Sequence, residues 1–162
     1  KNQTIENMAM PLGIVATDLQ TGAGVLFRRG DTGQAVRASC SVPGVFQPTT
    51  INGHEYVDGG LVSPVPVRYA KQMGADFVIA VNISTEPSSQ DSSGTLGILL
   101  QTTSIMGQSI NQFELENAQV VIKPPLSNMK GTDFKARNAA ILAGEEAAMK
   151  QMAEIKTKLG MR

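Results

Sequence analysis

The dipeptide Asn52-Gly53, set between Thr49-Thr50-Ile51 and Glu55-Tyr56-Val57, constrains this chain more than any other local feature. Both residues tolerate the positive φ of a type I′ turn, whose twist matches that of two antiparallel strands, so the segment predicts a β-hairpin. Its second strand delivers Asp58, and Gly59-Gly60 follow at once. Two glycines let the backbone turn sharply after a strand and leave room beside the acid for other groups. Asp-Gly is also a common turn pair, so these three residues carry little weight alone.

The elements around the hairpin set the fold class. Leu12 to Leu19 has the continuous apolar character of a strand buried on both faces. Thr21-Gly22-Ala23-Gly24 supplies a turn, and Gly24 to Arg29 reads as an antiparallel return strand. Thr32 to Ser41 predicts a short helix stopped by Pro43-Gly44, and Pro64 to Met73 a helix with proline in its first turn and Gly74 past its end. Phe77 to Val81 and Ala118 to Ile122 read as two further buried strands. Glu86 to Gly94 is a surface loop by composition. Leu99, Leu100, Thr103, Met106, Ile110 and Phe113 recur at helical spacing within a helix from Leu96 to about Glu116. Asp133 is the expected cap of a last helix whose inward stripe is Ile141, Ala148, Met152, Ile155 and Leu159. Strand and helix alternate, which predicts an α/β fold with a parallel or mixed sheet and helices on its faces, without internal repeat or second domain.

Composition removes several classes of function. The chain has 162 residues, with 14 basic and 14 acidic and no long run of either sign, so it lacks the clustered positive field of a nucleic-acid surface. Its single cysteine, Cys40, excludes an internal disulfide and fits a reducing compartment. No stretch approaches the roughly 20 apolar residues of a membrane span. One His and one Cys do not make a typical zinc site, and the carboxylates lack calcium-loop spacing. Gly22-x-Gly24 has no third glycine at the dinucleotide-binding spacing, which leaves a nucleotide-binding module the weakest of the readings.

The block Arg37-Ala38-Ser39-Cys40-Ser41-Val42-Pro43-Gly44-Val45-Phe46, with Tyr56-Val57-Asp58-Gly59-Gly60-Leu61 and Pro64-Val65-Pro66-Val67 after it, resembles the patatin-like phospholipases. These are bacterial and plant acyl hydrolases related to neuropathy target esterase, and the resemblance runs from about Pro11 to Leu159. It implies a three-layer α/β/α fold with a mixed, mainly parallel sheet. It also implies a Ser-Asp dyad that works without histidine, with Asp58 as the catalytic acid-base group and Gly59 and Gly60 supporting it. The implied substrate is a lipid or other acyl ester, and no metal or organic cofactor is required.

The family's serine stands in a Gly-x-Ser-x-Gly elbow, and no serine of this chain has glycine both two residues before and two after it. The expectation is therefore that residues 1–162 are the C-terminal portion of a single catalytic domain, truncated on its N-terminal side. The nucleophile and the glycine-rich oxyanion loop would lie on the missing N-terminal half, and this chain alone would be inactive. Missing neighbouring strands would expose a sheet edge, inviting pairing with that half or with a homodimer partner. A cytoplasmic or peripherally membrane-associated protein is expected. The alternative is a non-catalytic patatin-like module that binds lipid or protein and keeps Asp58 as a turn residue.

The remaining candidates are weaker. His54 lies four residues before Asp58, about 13 Å along a strand at ~3.3 Å per residue, so the two cannot share a hydrogen bond. A solvated carboxylate near pKa ~3.9 is a poor base for a hydroxyl, so Asp58 must be tuned by partial desolvation. Ser39 and Ser41 near a helix end are expected to bond locally, and Cys40 to be a small buried residue. Arg37 is expected in a structural ion pair, and Asp18 and Asp76 are boundary residues. The apolar start Leu96-Gly97-Ile98-Leu99-Leu100 is expected to pack on the sheet and the missing half, with a surface for lipid or acyl chains as the alternative.

Overall fold

The computed structural model of the chain describes residues 3–84, 94–126 and 134–161. Its centre is β1 (Ile14–Asp18), buried at every position as its unbroken apolar run requires. The return strand β2 (Gly24–Phe27) pairs with it antiparallel, Ile14 opposite Phe27 and Ala16 opposite Val25. The predicted hairpin forms between β3 (Thr49–Ile51) and β4 (His54–Asp58). Asn52 and Gly53 take φ of 52° and 84°, the pair of positive angles that a type I′ turn needs. β4 then lies antiparallel on the other edge of β1, with Ala16 opposite Asp58, giving the order β2-β1-β4-β3.

Helix α1 (Thr32–Ser39) begins where the Asp31 side chain accepts from the Gln34 N–H at 2.8 Å. Its Ala35 and Ala38 pack on the sheet beside Ile14, Ala16 and Tyr56, and Tyr56 meets Phe27 edge-on at 5.1 Å. Helix α2 (Val67–Gln72) starts three residues later than the sequence suggests. Val65 precedes Pro66, which disfavours helical backbone at Val65, so the chain bends at Pro64 and Val65 and the Val67 N–H closes on the Val65 carbonyl at 2.8 Å before the helix begins. The expected glycine end is present: Gly74 has φ 95°, and the Ala75 N–H closes back on the Ala70 carbonyl.

The parallel part of the sheet architecture is β5 (Ile79–Val81) beside β6 (Val120–Ile122), with α3 (Gly94–Leu115) between them in sequence. Helix α4 (Arg137–Lys158) covers β6 through Ala147 and Ile155. The chain is thus an α/β protein with both antiparallel and parallel pairing. Among the described residues, parallel pairing is confined to this one ladder.

Burial departs from expectation in the C-terminal half. β5 is buried on one face only: Val78 and Ala80 pack on Val65 and Val67, whereas Ile79 and Val81 are exposed. On α3 the residues that reach the interior are Gly107, Asn111 and Glu114, while Leu99, Met106 and Phe113 are exposed. Of the expected stripe Leu100, Thr103 and Ile110 are half-buried, and hydrogen bonds from Asn111 and Glu114 secure the helix beside them. On α4, Ile155 points inward as expected, but Ile141 and Leu159 do not, because a two-stranded sheet offers cover to only part of a 22-residue helix. The expected loop at 86–93 and the expected cap Asp133 lie outside the described residues.

Candidate active site

Asp58 closes β4, and the ladder fixes its backbone on both sides. Thr17 Oγ1 donates to its carbonyl at 2.8 Å, and its own N–H donates to the Ser41 carbonyl at 3.0 Å. Its side chain then accepts one hydrogen bond, from the Gly60 N–H to Oδ1 at 2.7 Å. Oδ2 has no hydrogen-bond partner among the described residues. Burial pushes the carboxyl above its ordinary pKa, and the Gly60 bond only partly opposes that shift. The result is a partly desolvated carboxylate with one oxygen anchored and the other available, the tuning that a carboxylate base needs.

The two glycines have separate reasons. A Cβ on Gly59 would strike the Val15 backbone carbonyl, so the turn after β4 can lie directly on β1 only with glycine there. A Cβ on Gly60 would come within 2.9 Å of Asp58 Oδ1, crowding the oxygen that Gly60 holds. Gly59–Leu61 forms a single 3-10 turn, and Asp58 opens onto a cavity of about 370 Å³. Val42, Pro43, Pro64, Ile83, Ser84, Thr103, Ser104 and Gly107 line it with Asp58, Gly60 and Leu61.

Glu114 does not line this cavity but is buried behind it against Ser63 and Arg68, and it carried no signal in the sequence beyond its place near the end of α3. Its Oε1 accepts from Ser63 Oγ at 2.8 Å and forms an ion pair with Arg68 Nε at 3.2 Å, and Oε2 accepts from the Arg68 N–H at 3.0 Å. One turn earlier, Asn111 Oδ1 accepts from the Val65 N–H at 3.1 Å, and Nδ2 donates to Ser84 Oγ at 3.0 Å. These bonds tie α3 to the segment that follows Asp58-Gly59-Gly60 and so fix the far wall of the cavity.

The other candidates fall away from it. His54 sits at the hairpin tip with Nδ1 3.0 Å from Asp18 Oδ2. Asp18 also accepts from the Thr21 and Gln20 N–H groups, and these bonds, the Thr21 one foremost, hold it below the usual carboxylate range. Ser41 Oγ donates to the Arg37 carbonyl and lies 3.1 Å from Thr49 Oγ1, a local role as expected. Cys40 is exposed, not buried, because it lies one turn after the exposed Val36 and off the Ala35 and Ala38 face that packs on the sheet. No ion pair involves Arg37 among the described residues. Nor do those residues group three or more His, Cys, Asp or Glu side chains where a metal ion could be held.

Residues 2–71, which contain the hairpin and Asp58, match the family model of the patatin-like phospholipases. An uncharacterized NTE family protein of Mycobacterium bovis is 40% identical over 80 residues, 49% of this chain and 22% of that protein. A second NTE family protein of Mycobacterium tuberculosis is 29% identical over 175 residues, 91% of this chain and 30% of the relative. Mouse patatin-like phospholipase domain-containing protein 7 is 32% identical over 87 residues, 52% of this chain and 6% of its own length. The chain therefore spans less than a third of each of these relatives.

Proposed function

We propose that the chain, whose residues 2–71 match the patatin-like phospholipase model, forms part of a serine hydrolase that cleaves acyl esters of lipids, with Asp58 as its base. The carrying observation is the Asp58 carboxylate itself: raised in pKa by burial, held through Oδ1 by Gly60, and open through Oδ2 to a cavity. A strongly hydrogen-bonded acid such as Asp18 would be too weak a base for this work, and His54 is bound to Asp18 and separated from Asp58 by the length of β4.

In this reading a serine hydroxyl enters the cavity beside Asp58. Asp58 takes its proton as Oγ attacks the ester carbonyl, and the tetrahedral oxyanion is stabilised by N–H donors. Collapse expels the alcohol, which receives the proton from Asp58, and leaves an acyl-serine. Asp58 next takes a proton from water as that water attacks the acyl carbon, and returns the proton to the serine as the fatty acid leaves. Since none of the 162 residues forms a Gly-x-Ser-x-Gly elbow, the serine and the oxyanion donors belong to polypeptide outside this sequence, and the chain by itself is inactive.

Fluorophosphonate labelling followed by intact-mass measurement tests the reading. The 162-residue chain should take no label. A longer form of the protein that includes an upstream Gly-x-Ser-x-Gly should gain one phosphonate and lose that reactivity with Asp58→Asn. Full labelling of the Asp58→Asn form would refute Asp58 as the base.

A further inference from the structure

Asp18 and Asp58 draw on the same kind of donor in different number. Asp18 Oδ1 accepts from the N–H groups two and three residues on, Gln20 at 3.0 Å and Thr21 at 2.9 Å. Asp58 Oδ1 accepts from the N–H two residues on, Gly60 at 2.7 Å, and the N–H three residues on, that of Leu61, makes no bond to the carboxylate. A capping aspartate can use either position, so Leu61 is the donor that Asp58 leaves untaken.

Two contacts with β1 hold the Asp58 turn closed. Thr17, 5% exposed, donates from Oγ1 to the Asp58 carbonyl at 2.8 Å, although the two residues are 41 apart in sequence. Next to that carbonyl, Gly59 lies so near the Val15 carbonyl that a Cβ has no room. The turn after Asp18 closes on itself instead: the Asp18 carbonyl accepts from the Gly22 N–H at 2.8 Å, and residues 20 and 21 within that turn both reach the acid.

We propose that Thr17 is a positioning residue: its hydroxyl holds the Asp58 carbonyl against β1, keeps the Leu61 N–H off the carboxylate, and so preserves Asp58 as a base with a single donor. The inference rests on the reading of Asp58 as the base and adds what keeps it one. A partly desolvated carboxylate is stabilised by each further donor it reaches, and the Gly59-Gly60 backbone beside it is free to bend toward one. A bond made inside the turn would move with the turn, so the restraint has to come from elsewhere. Thr17 supplies it from β1, the strand buried at every position. Thr17 does not line the cavity, so it acts through Asp58.

The surroundings let a pH profile report on Asp58. Among the described residues, no other titratable side chain lines the cavity. Asp18, the titratable group of β1, stands opposite Tyr56 and is bound to His54. Glu114 of α3 is bound to Ser63 and Arg68, while Arg37 and Cys40, at the end of α1, line a separate cavity.

The test is the rate of fluorophosphonate labelling against pH in the full-length protein that contains this chain, for wild type, Thr17→Val and Thr17→Ser. Valine keeps the shape of threonine without the hydroxyl, and serine keeps the hydroxyl. Thr17→Val should label about 10-fold more slowly at neutral pH, as a weakened base implies. The acid limb of its profile should move to lower pH, because an added donor favours the charged carboxylate. Thr17→Ser should restore both the rate and the limb. A Thr17→Val profile with its acid limb unmoved overturns the proposal even if the rate falls, since lost packing slows labelling without shifting a titration. Equal losses in Thr17→Val and Thr17→Ser overturn it too. If Thr17→Val does not fold, Thr17→Ala is read by the same limb. Labelling that is absent, or that survives Asp58→Asn, rejects the hydrolase and this inference together, whereas labelling that needs Asp58 and ignores Thr17 rejects the inference alone.

Discussion

Two aspartates sit at opposite ends of the β1–β4 ladder, and their surroundings make them different groups. Asp18 ends β1 and accepts from two backbone N–H groups and from His54, which together hold it below its ordinary pKa. Asp58 ends β4, accepts from one N–H, and is pushed above its ordinary pKa by burial. Residue type and strand-end position are shared, so neither identifies a base. What separates them is how many donors meet the charge as water is removed: a saturated carboxylate stabilises a turn, and an undersatisfied one retains basicity.

The largest expected effect breaks the pair functionally. Asp58→Asn should lower fluorophosphonate reactivity of the full-length protein by ~10³-fold, the range of a lost general base, while Asp18→Asn leaves it within a factor of about two. Second comes a third carboxylate that resembles Asp18 in saturation. Glu114→Ala strips the partners from Ser63 Oγ and the Arg68 N–H, and should destabilise the fold by ~3 kcal/mol in urea unfolding, because buried donors are left unmet. Gly59→Ala should cost about 2 kcal/mol by the same measurement, since the new methyl meets backbone at Val15 and β1 cannot move aside.

The next effect is smaller and has opposite signs at the two aspartates. Asp58 is raised, so its protonated form contributes stability that is complete below the unfolded pKa and lost as pH climbs through the folded one. Asp58→Asn should therefore melt slightly higher than wild type at neutral pH, and the gap should close on acidification. Asp18 is lowered, so its contribution is present above the unfolded pKa and disappears as pH falls through the folded one. Asp18→Asn should melt lower at neutral pH, with that gap also closing in acid. Melting curves at neutral and acid pH check both, and equal signs would dissolve the comparison. Least of all, His54→Ala should leave labelling unchanged, as its ring is bound to the structural aspartate and not the reactive one.

The N-terminal half was far more legible in the sequence than the C-terminal half. β1 is a buried run, Asn52-Gly53 dictates its turn, and Asp58-Gly59-Gly60 follows within six residues, so local chemistry suffices there. α3 shows the reverse. Its helical extent was readable from spacing, but its inward face was not, because Asn111 and Glu114 are buried only by partners at Ser63, Val65 and Arg68, about 46–51 residues away. Hydrophobic periodicity reports which residues avoid water and is silent about polar groups that find distant donors. Cys40 failed for a simpler reason: it follows the exposed Val36 by one turn and so lies off the Ala35 and Ala38 face that meets the sheet.

The sequence by itself determined the α/β class, the hairpin, the place of Asp58 and its two glycines, and the resemblance to the patatin-like family. These depend on backbone preferences and short motifs that act over a few residues. Only the tertiary structure decided that Asp58 is the undersatisfied aspartate and that Glu114 and Asn111 tie α3 to the segment that follows it. Each of those depends on which groups meet across the fold, since desolvation and hydrogen-bond satisfaction belong to the assembled surroundings and not to the residue.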